Sequence, residues 1–416
     1  MAFDPSRAEA LQEQARQILL KNRRTTDGHQ YTVPSPVSYP YQWLWDSCFH
    51  AFALKHLNTE DAKKELRSIL SKQFENGMIP HMIYWEDGKA IDIKWGKDHT
   101  SSITQPPLIA QVAWEIFEKD GDEAFLKEIY SKLYHYYNYL LSERDPRRHH
   151  LVGIINPDES GEDSSPRFDS VQGLPAKHSP EENLHKRVSL VEKLQSCNFD
   201  APFCMKSFFW VKDVPFNAII VTSLQALAKI SDRLNYYEEA LYFSEQALQV
   251  TRAMRDRMLE NGIFWSLSGE NYEKIHTKTW AIFMPLYAHL ISKDEAEALV
   301  KEHLANPHEF KTLFGIPTVS LDEPSYEPQG PEHDQETQWW RGPVWIAPNW
   351  FIYRGLRDYG FDAEADELLE QTATLLETSG FREQYHPETG AGQGAEQFTW
   401  GALIVDMLAY QPRAVE

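Results

Sequence analysis

Helix-forming segments of this chain alternate between two kinds, one apolar nearly all round and one apolar on a single face. Residues 215–230 (PFNAIIVTSLQALAKI) carry apolar side chains on every side, as a helix buried all round would. The segment that follows keeps its apolar residues on one face: Ala240, Phe243, Ala247, Val250 and Met254. The alternation recurs in segments 276–291 and 293–304, and again in segments 343–356 and 362–377. Two concentric layers of helices require this alternation.

The pattern therefore predicts an all-α toroid, with a right-handed solenoid of helical hairpins as the alternative. Alternating strand patterns longer than a few residues are absent from the sequence, and about a dozen helices of usual length fit in the chain. A solenoid would show a sequence repeat of fixed length, and none is visible. Two long polar stretches, residues 156–212 and 310–338, are expected to be loops that wall an active site, without forming a domain of their own. We expect residues 1–416 to form a single catalytic domain.

Charge and cysteine content limit the partners and the compartment. A net charge of −21 disfavours nucleic acid and anionic membranes as partners. Cys48, Cys197 and Cys204 are odd in number and lack metal-ligand spacing, which is typical of thiols in a reducing compartment. The N-terminal residues are polar, and no stretch approaches 18 consecutive apolar residues. We expect a soluble cytoplasmic protein without a membrane partner.

Acids and aromatic residues concentrate in four blocks. Residues 39–54 (YPYQWLWDSCFHAFAL) open an apolar run, and residues 156–169 (NPDESGEDSSPRFD) hold five acids. Residues 336–351 (ETQWWRGPVWIAPNWF) hold four tryptophans, and residues 380–404 combine acids with the glycine-rich GAGQG. Each block also has a simpler interpretation: a solvated acidic loop, core tryptophans, or a glycine-rich turn followed by an ordinary helix. The glycines would otherwise allow close backbone approach to another helix or to a ligand.

The chemistry that these blocks favour is glycoside hydrolysis. It needs one carboxylic acid to protonate the leaving oxygen and one carboxylate to activate water, while indoles offer flat apolar faces to sugar rings. The sequence has no zinc motif, no nucleophile elbow and no calcium loop, and we expect no metal or cofactor.

The four blocks, taken in order, resemble glycoside hydrolase family 63, and the resemblance runs from about residue 30 to 405. It implies an (α/α)6 barrel and inverting cleavage of α-linked sugars, with Asp163 as general acid and Glu383 as general base. The expected substrate-binding residues are Tyr39, Trp43, Trp45, Asp46, His81, Gln105, Trp339, Trp340, Trp345 and Gln397. The compact length most resembles the hydrolases of mannosylglycerate and glucosylglycerate.

Several points stay open in the sequence. Glu396 competes with Glu383 as the base, while Glu388 lies in what resembles an exposed turn. Arg167, Arg187 and Lys212 are candidates for binding a glycerate carboxylate. Inverting geometry requires the two catalytic carboxyl groups to lie roughly 6.5–9.5 Å apart. The sugar, mannose or glucose, and the oligomeric state, monomer or homodimer, are not determined.

Three alternative functions remain. The first is an α-glucosidase for neutral disaccharides or oligosaccharides. The second is a toroidal sugar epimerase, in which His50, His81 or His276 would carry out the proton transfers. The third is a sugar-binding protein without catalytic activity.

Overall fold

The computed structural model describes residues 3–85, 95–97, 99–329 and 340–415. Within these ranges the chain forms fifteen α-helices. They are α1 (Pro5–Asn22), α2 (Leu44–Leu57), α3 (Thr59–Leu70), α4 (Ile109–Asp120), α5 (Glu123–Glu143), α6 (Asp169–Gln172), α7 (Pro180–Ser196), α8 (Ala201–Ser207), α9 (Val214–Arg233), α10 (Tyr237–Met258), α11 (Met284–Tyr287), α12 (Lys293–Leu299), α13 (Ile346–Tyr359), α14 (Asp362–Ser379) and α15 (Ile404–Ala409). Short 3-10 segments cover Pro157–Ser160, Pro166–Phe168, Trp280–Phe283 and Thr399–Leu403, and a π segment covers Val300–Leu304.

The strands that the structure describes are short and form sheets of two or three strands. They are β1 (Arg23–Thr26), β2 (His29–Thr32), β3 (Gln42–Trp43), β4 (Met82–Ile83), β5 (Val211–Lys212), β6 (Leu259–Glu260), β7 (Ile263–Phe264), β8 (Leu267–Ser268), β9 (Glu273–Lys274), β10 (Arg382–Tyr385) and β11 (Gly392–Glu396). All pairings are antiparallel: β1 with β2, β3 with β4, β5 with β8, β8 with β9, β6 with β7, and β10 with β11.

Six helical segments close an inner ring. Helices α2, α4, α9, α11, α13 and α15 each contact the next, and α15 returns to α2. A second layer surrounds the ring, with α1 on α15, α3 on α2, α5 on α4, α10 on α9 and α14 on α13. Helix α12 follows α11 at the corresponding place along the chain. The prediction of an (α/α)6 barrel is confirmed.

The alternation of helix types in the sequence matches the two layers. Inner helix α9 is buried on nearly every side, and outer helix α14 buries all five residues of its predicted stripe: Ala365, Leu368, Leu369, Thr372 and Leu376. On outer helix α10 the predicted stripe is buried except for Ala240, which is half-buried. Among the described residues, α9 is long and apolar enough to cross a membrane by length and composition, yet 89% of its most apolar window is buried inside the protein. Its position in the inner ring explains that composition.

One predicted inner helix is much shorter than expected. Of residues 276–291, only 280–287 are helical, as a 3-10 turn followed by the four residues of α11. Pro285 lies in the first turn of α11, where its missing N–H is tolerated. The chain then leaves the helix, and His289 adopts a left-handed φ of 53°. The apolar residues on all sides of this segment predicted its burial correctly, but they did not predict the length of the helix.

The prediction that residues 156–212 are a loop is wrong. This stretch contains α6, α7 and α8, and α7 begins with a capping box formed by Ser179 and Glu182. Helix α7 is mostly polar and buries few side chains, which hid it in the sequence. In the second stretch, residues 310–329 form turns and isolated bridges, and residues 330–338 lie outside the described part.

Candidate active site

A pocket of about 550 Å³ opens where the N-terminal ends of inner helices α2, α13 and α15 meet the connecting segments. This volume is within the range typical of sites for small ligands. Its walls combine aromatic rings, carboxylates and one guanidinium group. The lining includes Tyr39, Tyr41, Trp43, Trp45, Asp46, His81, Trp95, Gln105, Asp158, Asp163, Arg187, Trp340, Trp345, Glu383, Phe398 and Trp400.

The pocket brings together residues that the sequence separates by up to several hundred positions. Both expected catalytic acids line it, and so do eight of the expected binding residues: Tyr39, Trp43, Trp45, Asp46, His81, Gln105, Trp340 and Trp345. Gln397 does not line it, and its backbone oxygen instead accepts a hydrogen bond from Asn22 Nδ2 at 2.8 Å. Trp339 lies outside the described residues.

Four aromatic lining residues were not predicted. Phe398 and Trp400 belong to the last acidic block, and Tyr41 belongs to the first, so the blocks themselves were the available signal. Trp95 stands alone among polar neighbours, and nothing in the sequence singles it out.

Glu383 lies on β10, at an irregularity in the pairing between β10 and β11. Its Oε2 accepts a hydrogen bond from the Ala395 backbone N–H at 2.8 Å, and its Oε1 accepts one from the Tyr39 hydroxyl at 2.6 Å. The side chain is buried. Burial raises the pKa of Glu383 to about 7; the two hydrogen bonds oppose the rise, and the charge of Asp163 adds to it.

Gly394 explains part of the glycine-rich sequence of this block. Its φ is +64°, and a Cβ at this position would lie 2.5 Å from Glu383 Oε2. The glycine therefore permits the close approach of β11 to the carboxylate. Glycine thus serves a close approach here, as expected, but the neighbour is the Glu383 side chain and not another helix or a ligand.

The two competing glutamates lie away from the pocket. Glu396 has a 62% exposed side chain that pairs with Arg382 at 3.0 Å. Glu388 is exposed in the turn that follows β10. Neither lines the pocket, whereas Glu383 does.

The acidic block at residues 156–169 is a buried structural element, so the alternative of a solvated loop is wrong. Glu159 is fully buried and pairs with both Nη atoms of Arg144 at 2.6 Å. Glu162 pairs in the same way with Arg167, at 2.8 and 3.0 Å. Gly161 lies between them, where a Cβ would come within 2.2 Å of the Trp45 ring. These contacts hold the turn against the pocket wall.

Asp163 follows this turn and reaches the pocket. Its Oδ2 lies 2.5 Å from Nη1 of Arg187, a residue on α7 whose Nη2 also contacts Asp158. Burial raises the pKa of Asp163, Arg187 opposes the rise, and the charge of Asp158 adds to it. Arg187 thus bridges two carboxylates in the pocket wall.

The other two cations proposed for a carboxylate ligand lie elsewhere. Arg167 is buried between Glu162 and Asp213, and Lys212 packs over the rings of Trp210 and Tyr272. Of the three candidates, only Arg187 lines the pocket.

The aromatic wall is ordered by its own contacts. Trp340 and Trp345 stack with ring centroids 4.0 Å apart, and Trp400 Nε1 donates to Asp46 Oδ1 at 2.6 Å. Burial raises the pKa of Asp46 to about 7, which the indole hydrogen bond opposes. Trp350, the fourth tryptophan of residues 336–351, is core and donates to Asp406. The tryptophan-rich block therefore serves both the pocket and the core.

The histidines proposed for an epimerase do not form a pair in the pocket. His50 is buried and bonds Thr399 Oγ1 at 2.6 Å, while His276 is exposed beside Glu260. His81 lines the pocket, and burial lowers its pKa to about 4, so it is neutral at pH 7. The acid–base groups of the pocket are therefore carboxylates.

Comparison with known proteins points to one group of enzymes. The family profile described as mannosylglycerate hydrolase MGH1-like glycoside hydrolase domain matches residues 39–401. The mannosylglycerate hydrolase of Thermus thermophilus is 36% identical, over 93% of this chain and 98% of its own length. The glucosylglycerate hydrolase of Mycolicibacterium hassiacum is 29% identical, over 92% of this chain and 94% of its own length.

A solved structure has the same fold. A GH63 mannosylglycerate hydrolase from Thermus thermophilus, in complex with Tris and D-glycerate, superposes with a TM-score of 0.86 at 31% identity. The match covers 96% of this chain and 100% of that one.

Proposed function

Because this chain belongs to the mannosylglycerate hydrolase MGH1-like glycoside hydrolases of glycoside hydrolase family 63, we propose that it cleaves mannosylglycerate or glucosylglycerate. It is a glycoside hydrolase, which sets aside the epimerase and the non-catalytic binding protein. The two relatives act on glycerate conjugates of different hexoses, so either sugar is compatible with the family.

The position of Arg187 in the pocket wall is the observation that supports a glycerate conjugate as the substrate. Its guanidinium is the one cation among the described lining residues, in a protein whose net charge is −21. An anionic aglycone needs such a local cation, and arginine binds a carboxylate through two parallel hydrogen bonds. We assign Arg187 to the glycerate carboxylate, and the pocket formed by Trp45, Asp46 and Trp400 to the hexose.

The proposed reaction is a single displacement. Protonated Asp163 donates its proton to the glycosidic oxygen as the bond to C1 breaks, and the aglycone leaves as glycerate. Ionised Glu383 takes a proton from a water molecule, whose oxygen attacks C1 from the opposite face. The product is a β-hexose, and proton exchange with solvent restores both carboxyl groups. Tyr39 and the Ala395 N–H hold Glu383 in place and favour its ionised form.

Proton NMR of the enzyme with mannosylglycerate, glucosylglycerate and the neutral α-glucoside kojibiose tests this proposal. We expect β-hexose to appear first from at least one glycerate conjugate. Glu383→Gln and Asp163→Asn should abolish the reaction, and the matched control Glu396→Gln should retain it. Cleavage of kojibiose alone would refute the glycerate assignment, and α-hexose as the first product would refute the single displacement.

We also propose that residues 1–416 form one catalytic domain that acts in the cytoplasm as a monomer or homodimer on a small glycoside. The free cysteines support a reducing compartment, and the net charge argues against nucleic acid and anionic membranes. Light scattering coupled to size exclusion tests the oligomeric state.

A further inference from the structure

The proposed general acid is paired with a cation in this structure. Nη1 of Arg187 contacts Asp163, while Nη2 and Nε of the same guanidinium face Asp158, with Nε 3.3 Å from Oδ2. A guanidinium partner stabilises the ionised carboxylate. A general acid must instead carry a proton when the substrate is in place. The pairing in the wall therefore opposes the step that Asp163 is assigned.

Several charged groups surround Asp163, so the charge of a bound ligand affects whether Asp163 carries a proton. Arg187 on α7 is its cationic neighbour, and the charge of Asp158 in the preceding 3-10 turn raises the pKa of Asp163. Glu383 on β10 and Asp46 in the first turn of α2 add two carboxyl groups in the same pocket. His81 is neutral at pH 7, and the Tyr39 hydroxyl stays protonated because burial and Glu383 raise its pKa. The described lining residues thus include one cation and four carboxyl groups.

A further carboxylate can enter this site favourably only if negative charge is removed. We propose that binding of the substrate carboxylate to Arg187 releases Asp163 from the guanidinium and drives the uptake of one proton from solvent onto Asp163. The anionic aglycone thereby generates its own general acid. This inference rests on the proposed function, since it takes Arg187 as the carboxylate site.

Asp158 is a positioning residue in this scheme. It holds the guanidinium through Nε and Nη2, so Arg187 keeps an anchor in the wall after Asp163 has released it. Arginine has five N–H donors, enough for Asp158 and a ligand carboxylate together. A neutral glycoside leaves Arg187 on Asp163, and the guanidinium then keeps the pKa of the acid lower than the anionic substrate does. The enzyme would then favour the anionic substrate through a faster chemical step as well as through tighter binding.

Proton uptake on binding of D-glycerate alone provides the first test. Calorimetric titrations at pH 7, 8 and 9, in buffers of different ionisation enthalpy, measure the protons taken up per ligand. Free glycerate has a carboxyl pKa of about 3.5 and is ionised throughout. We expect uptake approaching one proton at one or more of these pH values for the wild type and for Glu383→Gln, and none for Asp163→Asn. Binding without uptake at every pH, or uptake that persists in Asp163→Asn, would overturn the inference.

Kinetics with a matched pair of substrates provide the second test. Mannosylglyceramide replaces the carboxylate of mannosylglycerate with a neutral amide. Removing an opposite charge shifts a carboxyl pKa by about 1–3 units, so the alkaline limb of kcat should lie that much higher for the anionic substrate. Coincident limbs would refute the inference while leaving glycerate-conjugate hydrolysis intact. Failure to cleave either glycerate conjugate would refute the proposed function instead.

Variants separate the positioning role from a merely structural one. Asp158→Asn leaves Asp163 as the acidic partner of Arg187, which should lower the pKa of Asp163. The alkaline limb of kcat for the neutral amide should therefore move to lower pH. A purely structural role would change thermal stability or KM and leave the limb in place, which would exclude the positioning role. Glu245→Gln, at an exposed site on α10, is the control and should leave both limbs unchanged. Arg187→Met should abolish glycerate binding, and retained binding would overturn the inference.

Discussion

Tyr39→Phe tests whether Glu383 owes its pKa, and hence its role as base, to the contact with the Tyr39 hydroxyl. That hydroxyl donates to Glu383 Oε1 at 2.6 Å, and the pKa of the carboxyl is already about 7. A hydrogen bond to a charged acceptor contributes about 1.5–3 kcal/mol. At about 1.4 kcal/mol per unit, its loss raises the pKa of Glu383 by about 1–2 units. The base must be ionised to act, so activity should fall at pH 7 and recover as the pH rises.

The assay is kcat/KM for the cleaved glycoside from pH 5 to 10, because its acid limb reports ionisation in the free enzyme. We expect that limb to move up by about 1–2 units, with roughly a 5- to 50-fold loss at pH 7. Tyr41→Phe is the matched control, since Tyr41 lines the same pocket without donating to Glu383. A uniform loss of sugar contacts would lower the whole profile without moving its limb. An acid limb that stays in place in folded Tyr39→Phe enzyme would refute the reasoning.

Three further outcomes are expected. Glu383→Gln should be inactive, yet its free energy of unfolding at pH 8 should exceed that of the wild type by up to about 3 kcal/mol. The pKa of Glu383 is raised to about 7 in the folded protein, so above pH 7 the ionised carboxylate destabilises the fold. Urea unfolding should show that gain fade towards pH 4, and an equal gain at both values would contradict it. Gly394→Ala should lose activity in a steady-state assay, because the added Cβ would contact the Glu383 carboxylate. Gly262→Ala is the control and should keep full turnover, since Gly262 also has a positive φ but has open space around it. Arg144→Met should destabilise the fold by about 3–5 kcal/mol by leaving Glu159 buried and unpaired, while Arg16→Met on the surface should change the unfolding midpoint little.

Much of the architecture could be predicted because burial leaves a periodic trace in a helix. A helix in the inner ring is apolar on every side, and its outer partner is apolar on one face. The sequence of each segment alone therefore predicts the layer to which α9, α10 and α14 belong. Helix α7 left no such trace. It buries only a few residues, and its polar surface has the composition of a loop.

For the site, the order of the four blocks and their resemblance to glycoside hydrolase family 63 predicted that these blocks share one pocket, and the lining of the pocket agrees with that prediction. The sequence did not decide between Glu383 and Glu396, which share one block and one side-chain chemistry. That choice depends on surroundings: one is buried under the hydroxyl of Tyr39, 344 residues earlier, and the other is solvated beside Arg382. The placement of Arg187 in the pocket was likewise settled only by tertiary structure. The pKa and pairing of an ionisable group are set by the atoms packed around it, and sequence distance does not record them.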